Sequence, residues 1–406
     1  MFRQPETPRQ NWQQIVESQG LTYALDPAGS GREDTYWNEA ASYVFTEDEI
    51  AYLEGVTEEL HERAIEACHA MVESQEVMDS LGLPRIATEL LRESLHDPNA
   101  FSLYGRFDLA YDGTGHAKLL EYNADTPAAL VEGAVTQWYW LEDRYPQKDQ
   151  WNMLHERLVQ AWQEHAHLIR DDIVHFGVGE NEPNEDWATV AYLRDTAREA
   201  GLTDFGITME DIGWHSGQKM FVDGENREIS TCFKMYPWDW MLAERFGNYI
   251  LAEEAATLWI EPAWKTLAGS KALLAMMWQM FPDHPNLVPA YLDGHRDMSE
   301  YVAKPTFGWE GAGIRIVSDH VNESTDARHA AGQHDVFQQF IELPKFDGNY
   351  VVLGTWVVNG HAAGMGIRES DSAITDTNAR FVPHVIDAPR STDEQVQQWL
   401  QGGSSA

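Results

Sequence analysis

Basic charge and cysteine are what this chain has least of. Only 28 of its 406 residues are Lys or Arg against 66 Asp or Glu, a formal net charge of -38, and only eight of the basic residues are lysine. Nucleic-acid affinity rests mainly on Lys and Arg neutralising phosphates, so this balance argues against such a partner. An anionic membrane surface is disfavoured on the same ground. The two cysteines, Cys68 and Cys232, lie far apart without a CxxC or Cys/His spacing. That pattern argues against a disulfide framework or a structural zinc site and fits a reducing compartment. No apolar run approaches the roughly 18 residues of a membrane span, and the polar start MFRQPETPRQNWQQ has no signal-peptide core. A cytoplasmic location is the expectation. What is present, 43% hydrophobic and 11% aromatic residues, suffices for a large core and excludes a disordered acidic chain. The carboxylate excess keeps the surface solvated, as suits a salty cytoplasm, and names no function.

The patterning alternates helical and extended stretches, without an internal repeat. Thr46 and Glu49 form a capping box ahead of a helix from Glu47 to about Ser74, with Ile50, Leu53, Val56 and Leu60 on its apolar face. A second helix follows Pro84 and runs to Leu95. FSLYGRFDLAY and AKLLEYNA read as a β-hairpin turned by DGTG, and helices are expected at 128–142 and 151–170. DIVHFGV, a helix from Trp187 to Ala200 and LTDFGIT repeat a β-α-β rhythm, which suggests a Rossmann-like unit with parallel strands. KMFVDGENREISTCFKMY reads as a hairpin around Asp223-Gly224, and a helix is expected from about Ser270 to Phe281. YVAKP, IRIVS and VFQQFIEL read as short strands. YVVLGTWVVNGHAAGMGIRES is a hairpin whose Asn359-Gly360 suits a type I′ turn, and the terminal GGSSA reads as a frayed tail.

Three constellations bear chemistry. In the first hairpin, pairing symmetric about Thr114-Gly115 sets Asp108 opposite Glu121 and Arg106 opposite Asn123, all on one face. Two carboxylates and an amide oxygen there are hard ligands of the kind Mg²⁺ takes alongside substrate phosphates. A salt-bridged, solvated sheet face is the alternative. Lys304 precedes PTFGWEGAGI, whose glycines would let backbone amides approach phosphates; no GKS or GKT closes it as a Walker A loop, and an ordinary connection remains open. Lys271, in GSKALLAMMW, stands near a helix N-terminus, an unfavourable place for a cation unless a function holds it there. In the second hairpin, symmetric pairing sets Arg368 opposite Val351 and on the face of Gly364 and Gly366, with open space for a phosphoryl group beside the guanidinium; a surface Arg beside flexible glycines is the alternative. His165 and His167 fall on different helix faces and are discounted as a metal pair. The sixteen tryptophans are mostly core and groove packing.

These stretches resemble the glutathionylspermidine synthase family, whose synthetase domain is a variant ATP-grasp ligase. The matching segments are YWNEAASYVF, RFD, LLEYNADTPAALVE, EPAWKTLAGSKALL, FPDHP, YVAKPTFGWEGAGI, VFQQFIELPKFDG and GMGIRES, which together span nearly the whole chain. The resemblance implies Asp108, Glu121 and Asn123 as Mg²⁺ ligands and Lys271 and Lys304 on ATP phosphates. It puts Glu310 and Gly311 in the loop over the nucleotide and Gln338, Gln339, Phe340 and Ile341 around the adenine. Arg106 and Arg368 would stabilise the anionic transition state, Thr126 would contact a glutathione-like peptide substrate, and Glu185 and Asp186 would be amine-binding candidates in the acidic stretch at 181–186. That stretch also fits a solvated acidic loop. Two departures stand out: Trp309 replaces a basic residue of the glycine-rich loop, and no amidase domain precedes the synthetase, so a product made here would not be hydrolysed here.

The expected fold is therefore α/β with α+β elements, an ATP-grasp-like ligase with an inserted Rossmann-like pre-ATP-grasp unit. Expected bounds are 1–164 for the first ATP-grasp part with the metal-binding hairpin, 165–258 for the insert, 259–395 for the second part and 396–406 for the tail. The leading expectation is an ATP-dependent carboxylate-amine ligase that joins a glutathione-like acid to a polyamine-like amine through an acyl phosphate. The rivals are a nucleotide-binding protein of the same fold without turnover, favoured by Trp309, and a metal-dependent hydrolase built on Asp108 and Glu121, which leaves both lysines unexplained.

Overall fold

A computed structural model describes residues 1–25, 36–180, 184–245, 247–251, 256–327 and 333–388. The expected tail at 396–406 and the first three residues of the acidic stretch lie outside them.

The central element is an antiparallel six-stranded sheet. Its strands run in the order Arg380–Val382, His361–Ser370, Asn349–Val358, Tyr104–Ala110 and Lys118–Asn123, with Lys345–Phe346 paired to Asn349–Val358 off this path. Every residue of Tyr104–Ala110 is buried, because helices cover one face and the functional cavity indents the other. The helix Glu47–Glu73 packs on the sheet through Leu53, Val56, Leu60, Ala64 and Ala67. Its capping box forms as expected: the Thr46 hydroxyl accepts from the Glu49 amide at 3.1 Å, and Glu49 Oε2 accepts from the Thr46 amide at 2.8 Å. Shorter helices, Gln75–Ser80 and Ala87–His96, follow.

Four parallel strands form a second sheet, ordered Leu258–Ile260, Thr231–Met235, Ile173–Val178 and Thr203–Thr208. The helix Asn184–Glu199 crosses between the last two, so the expected β-α-β rhythm is present. The hairpin expected around Asp223-Gly224 shrinks to a single antiparallel bridge between Val222 and Glu228. Met220–Val222 pairs instead with Gly213–His215, and Thr231–Met235 joins the parallel sheet. All five residues of that strand are buried, and a strand buried on both faces belongs inside a covered parallel sheet rather than in an exposed hairpin. A third sheet, antiparallel, runs Ala290–Tyr291, Asp335–Gln339, Tyr301–Pro305 and Arg315–Val317. Phe2–Pro5, Ala41–Thr46 and His384–Ala388 make a three-stranded sheet.

Two helical expectations move. The stretch expected at 128–142 begins with a π-helical turn, Glu132–Thr136, and continues as Gln137–Arg144. The stretch expected at 151–170 is helical over Leu154–His165, because Trp151 and Met153 instead bond the backbone of Met365 and Ala363. The two hairpin registers also slip. A bulge beyond Asp108 leaves Asp108 opposite Glu121 and Arg106 opposite Asn123, as expected, but shifts Leu109 to Leu119. A bulge between Trp356 and Val357 sets Arg368 opposite Val352, not Val351. One extra residue in a strand is enough to displace everything beyond it.

Candidate active site

The central and third sheets enclose a cavity of about 700 Å³. Of the site residues read from the sequence, Arg106, Asp108, Glu121, Asn123, Thr126, Glu185, Lys304, Glu310, Gly311, Gln338, Gln339, Phe340, Ile341 and Arg368 line it. Lys271 and Asp186 do not.

On the floor, alternate residues of the paired strands converge as the pleat requires. Asp108 accepts from Arg106 Nε at 2.8 Å and Nη2 at 3.3 Å, and from Arg368 Nη2. The Asn123 amide nitrogen lies 3.3 Å from Asp108 Oδ2 and 3.1 Å from Glu121 Oε1. Burial alone would raise Glu121; the attraction of Lys271 and Lys304, with hydrogen bonds from its neighbours, holds it well below the usual carboxylate range. Two carboxylates and an amide within reach of one another suit Mg²⁺, which takes few protein oxygens and leaves the rest to phosphates and water. Among the described residues no group of three or more His, Cys, Asp or Glu could hold a metal, so the amide is needed to complete that set.

The open space expected beside Arg368 is filled. A Cβ at Gly366 would lie 2.7 Å from the Phe381 ring, and one at Gly364 would lie 3.2 Å from Trp151 O. The glycine that matters to the floor is Gly354, opposite Asp108, where a Cβ would come 2.8 Å from Arg106 Cδ. Its missing side chain is the space in which the Arg106 stem lies.

Lys304 Nζ donates to Leu120 O at 2.9 Å and Gln338 Oε1 at 2.7 Å, and burial lowers it to about 8, opposed by Glu121. Lys271, only 5% exposed, stands behind the wall: its Nζ reaches Gly308 O at 3.0 Å and Glu121 Oε2 at 3.1 Å, so it ties the glycine-rich loop to the hairpin. In that loop Glu310 and Gly311 take positive φ of 53° and 69°. A Cβ at Gly311 would lie 2.9 Å from Thr375 O, so the loop packs closely on the segment after Ser370. Trp309 lies edge-on to Trp240 at 5.2 Å between centroids. Val302, Ile316, Leu343 and Ile374 give the end near Phe340 an apolar slot of the kind a purine ring fills.

At the opposite end, Glu185 Oε1 accepts from the Ala129 amide at 2.9 Å. Burial, then Glu132, pushes Glu185 up to about 8. Asp186 is half-buried beside it on the helix. Sequence reading assigned no role to Tyr36, Ala128, Ala129 or Glu132; their placement depends on tertiary packing, and no local spacing announces it.

The family model for the glutathionylspermidine synthase preATP-grasp region matches residues 3–387. The chain belongs to the glutathionylspermidine synthase family. Within this family it is 36% identical over 378 residues to a Haemophilus influenzae protein named "Putative acid--amine ligase", covering 90% of this chain and 94% of that protein. It is 25% identical over 374 residues to the bifunctional glutathionylspermidine synthetase/amidase of Escherichia coli, covering 85% of this chain and 59% of the relative. The trypanothione synthetase of Crithidia fasciculata is also 25% identical, with 80% of this chain and 53% of the relative covered. The chain thus spans little more than half the length of these two relatives. In structure it is similar to a glutathione synthetase-like effector of Globodera pallida, with TM-score 0.58, 10% identity and 95% and 100% of the two chains covered. That likeness concerns the fold, which is mixed α/β and of the ATP-grasp type. No helix among the described residues is long and apolar enough to cross a membrane.

Proposed function

We propose that this member of the glutathionylspermidine synthase family is an ATP-dependent carboxylate-amine ligase. The observation that carries the reading is the cavity floor, where Arg106 and Arg368 grip Asp108 beside Glu121, with Lys304 on the same wall. Fixed cations and metal-ligating oxygens at one point suit phosphoryl transfer, in which catalysis is positioning and charge neutralisation.

In this reading Lys304 and the backbone of the glycine-rich loop hold the phosphates, and the slot at Gln338 to Ile341 holds the base. Asp108, Glu121 and the Asn123 amide oxygen would hold Mg²⁺, whose charge offsets that of the phosphates. The γ-phosphoryl group moves to an oxygen of the acid substrate, with Arg106 and Arg368 beside the charge that develops. An amine then attacks the carbonyl carbon, the C–N bond forms, and the C–O bond to phosphate breaks. Thr126 contacts the acid substrate, which we take to be glutathione-like. Glu185, Glu310 and Asp376 line the cavity and favour a cationic, polyamine-like amine. The domain limits we assign are those expected from the sequence, with the last parallel strand, Leu258–Ile260, running two residues past the end of the insert.

A mass-spectrometric assay with Mg-ATP, glutathione and a panel of polyamines and amino acids tests the reading. An amide formed with equal amounts of ADP and phosphate is expected. Tight ATP binding with ADP release that never depends on an amine would instead favour a nucleotide-binding protein without ligase turnover, the reading to which Trp309 packed on Trp240 lends weight.

A further inference from the structure

One buried carboxylate beside the cavity has no part in the chemistry above. Glu132 opens the π-helical turn, is fully buried and lies behind the lining residues. Its Oε1 accepts from the Tyr36 hydroxyl at 2.6 Å, and the Tyr36 ring faces the cavity. Its Oε2 makes no hydrogen bond among the described residues, and neither does the nearby Tyr23 hydroxyl. A fully buried carboxylate with one oxygen outside hydrogen-bond geometry is costly to keep, even with Tyr23 and Arg106 close by to favour its charge, which calls for a role beyond packing.

Glu185 stands in front of it on the cavity wall. A single peptide group connects Glu185 to the phosphoryl end: the Ala128 carbonyl accepts from Arg106 Nη1, and the Ala129 amide of the same peptide donates to Glu185. Ala129 has φ +67°, a left-handed conformation uncommon for a residue with a Cβ. The groups that act on Glu185 are Glu132 from the π-helical turn, Arg106 from the sheet, Glu310 from the glycine-rich loop and Tyr23 and Tyr36 from the N-terminal segment; Asp186 follows it on its own helix.

We infer that Glu132, acting through Tyr36 and through its charge on Glu185, is a positioning residue that poises Glu185 to take a proton from the attacking amine. The inference rests on the ligase reading. In the step, the Glu185 carboxylate takes one proton from the ammonium form of the substrate. The freed lone pair forms the C–N bond as the C–O bond to phosphate breaks, and the second amine proton leaves on the phosphate. A base works best when its pKa lies near the working pH. Burial and the like charge of Glu132 bring Glu185 to about 8, while the Ala129 amide and Arg106 oppose the rise.

The test is a titration of the full chain, labelled with carboxyl-¹³C glutamate and followed by NMR without substrates, so that it reads the pair whether or not the protein turns over. The two acids titrate as a coupled pair. A midpoint near 8 is expected, absent in Glu185→Gln. Glu132→Gln removes the like charge and weakens proton affinity at this midpoint about tenfold or more. Tyr36→Phe keeps the ring and shifts the midpoint the same way, because Glu132 without its donor retains the shared proton. A midpoint unmoved in both variants overturns the inference. In the ligase assay the acid limb of kcat/KM for the amine moves to lower pH in Glu132→Gln with KM for ATP unchanged, and an unmoved limb also overturns it. A wild-type protein that forms no amide with any amine, yet shows the shifted midpoints, would sink the ligase reading and the catalytic step while leaving the pairing of Glu132 with Glu185 established.

Discussion

Arg368 and Asp108 are joined by an ion pair although a whole strand, Asn349–Val358, lies between their own strands. The bond crosses the row of Gly354, which pairs with Asp108 on one side and Gly366 on the other. Gly354 leaves the floor bare where the Arg106 stem lies, while the Phe381 ring covers Gly366.

Gly354→Ala places a methyl group where Arg106 Cδ would lie 2.8 Å away. Arg106 must shift from Asp108, and a displacement of about 1 Å in a positioned group costs up to roughly 100-fold in rate. Amide formation is expected to slow about 10- to 100-fold, while overpacking destabilises the fold by only about 1–3 kcal/mol in urea unfolding. Unchanged kcat would remove Arg106 from the reaction.

Lys304→Ala removes the cation that spans Leu120 and Gln338. Circular dichroism is expected to show an intact fold and calorimetry a loss of ATP binding. Native-like ATP affinity would contradict the phosphate assignment.

The contact of Trp309 with Trp240 links the glycine-rich loop to the helix Trp238–Ala243. An edge-on aromatic pair contributes about 0.5–1.5 kcal/mol beyond its area. Trp240→Ala should raise KM for ATP roughly 2- to 10-fold by releasing the loop and should blue- or red-shift the tryptophan emission change on ATP binding. KM and emission both identical to wild type would mean the contact does not govern the loop.

Acid sensitivity follows from two buried histidines. Burial lowers His384 to about 3; burial, then the charges of Lys265 and His361, lowers His61 to about 3. His384 is satisfied as the neutral ring: Nε2 accepts from the Trp151 amide at 3.2 Å, and Nδ1 lies 3.0 Å from Gln137 Oε1. Unfolded, each protonates near 6.5. Between those values the unfolded chain binds more protons, so stability is complete above 6.5 and falls as the pH drops toward 3. The slope is about 1.4 kcal/mol per pH unit for each ring. Urea unfolding at a series of pH values should show it, reduced in His384→Gln; a flat profile would mean that the rings are not held neutral.

The facing pairs Asp108 with Glu121 and Arg106 with Asn123 were legible although both lie beyond the bulge from the turn, because the bulge offsets a one-residue shift in the pairs next to the turn and restores the symmetric register. The position of Arg368 was not, because the second bulge adds a residue that no alternation pattern marks. The β-α-β rhythm was visible in apolar runs of suitable length, whereas Thr231–Met235 gave the same signal as a hairpin strand and was decided by burial on both faces. Glu132 and Tyr36, 96 residues apart, meet through packing alone. Lys271 was read as a phosphate ligand, yet its partners in the fold are Gly308 and Glu121.

The two guanidiniums of the floor are already occupied, both by Asp108, and behind the wall Lys271 is held by Glu121. If Asp108 takes a metal ion, it must loosen its hold on Arg106 and Arg368, which then become free to meet phosphate. A metal arriving alone gives up those partners without compensation, and a nucleotide arriving alone meets cations that are engaged elsewhere. The two are therefore mutually dependent guests, each strengthening the other by the same factor. On the proposed reading, such an exchange would make the metal-nucleotide complex, rather than either component, the species this floor admits.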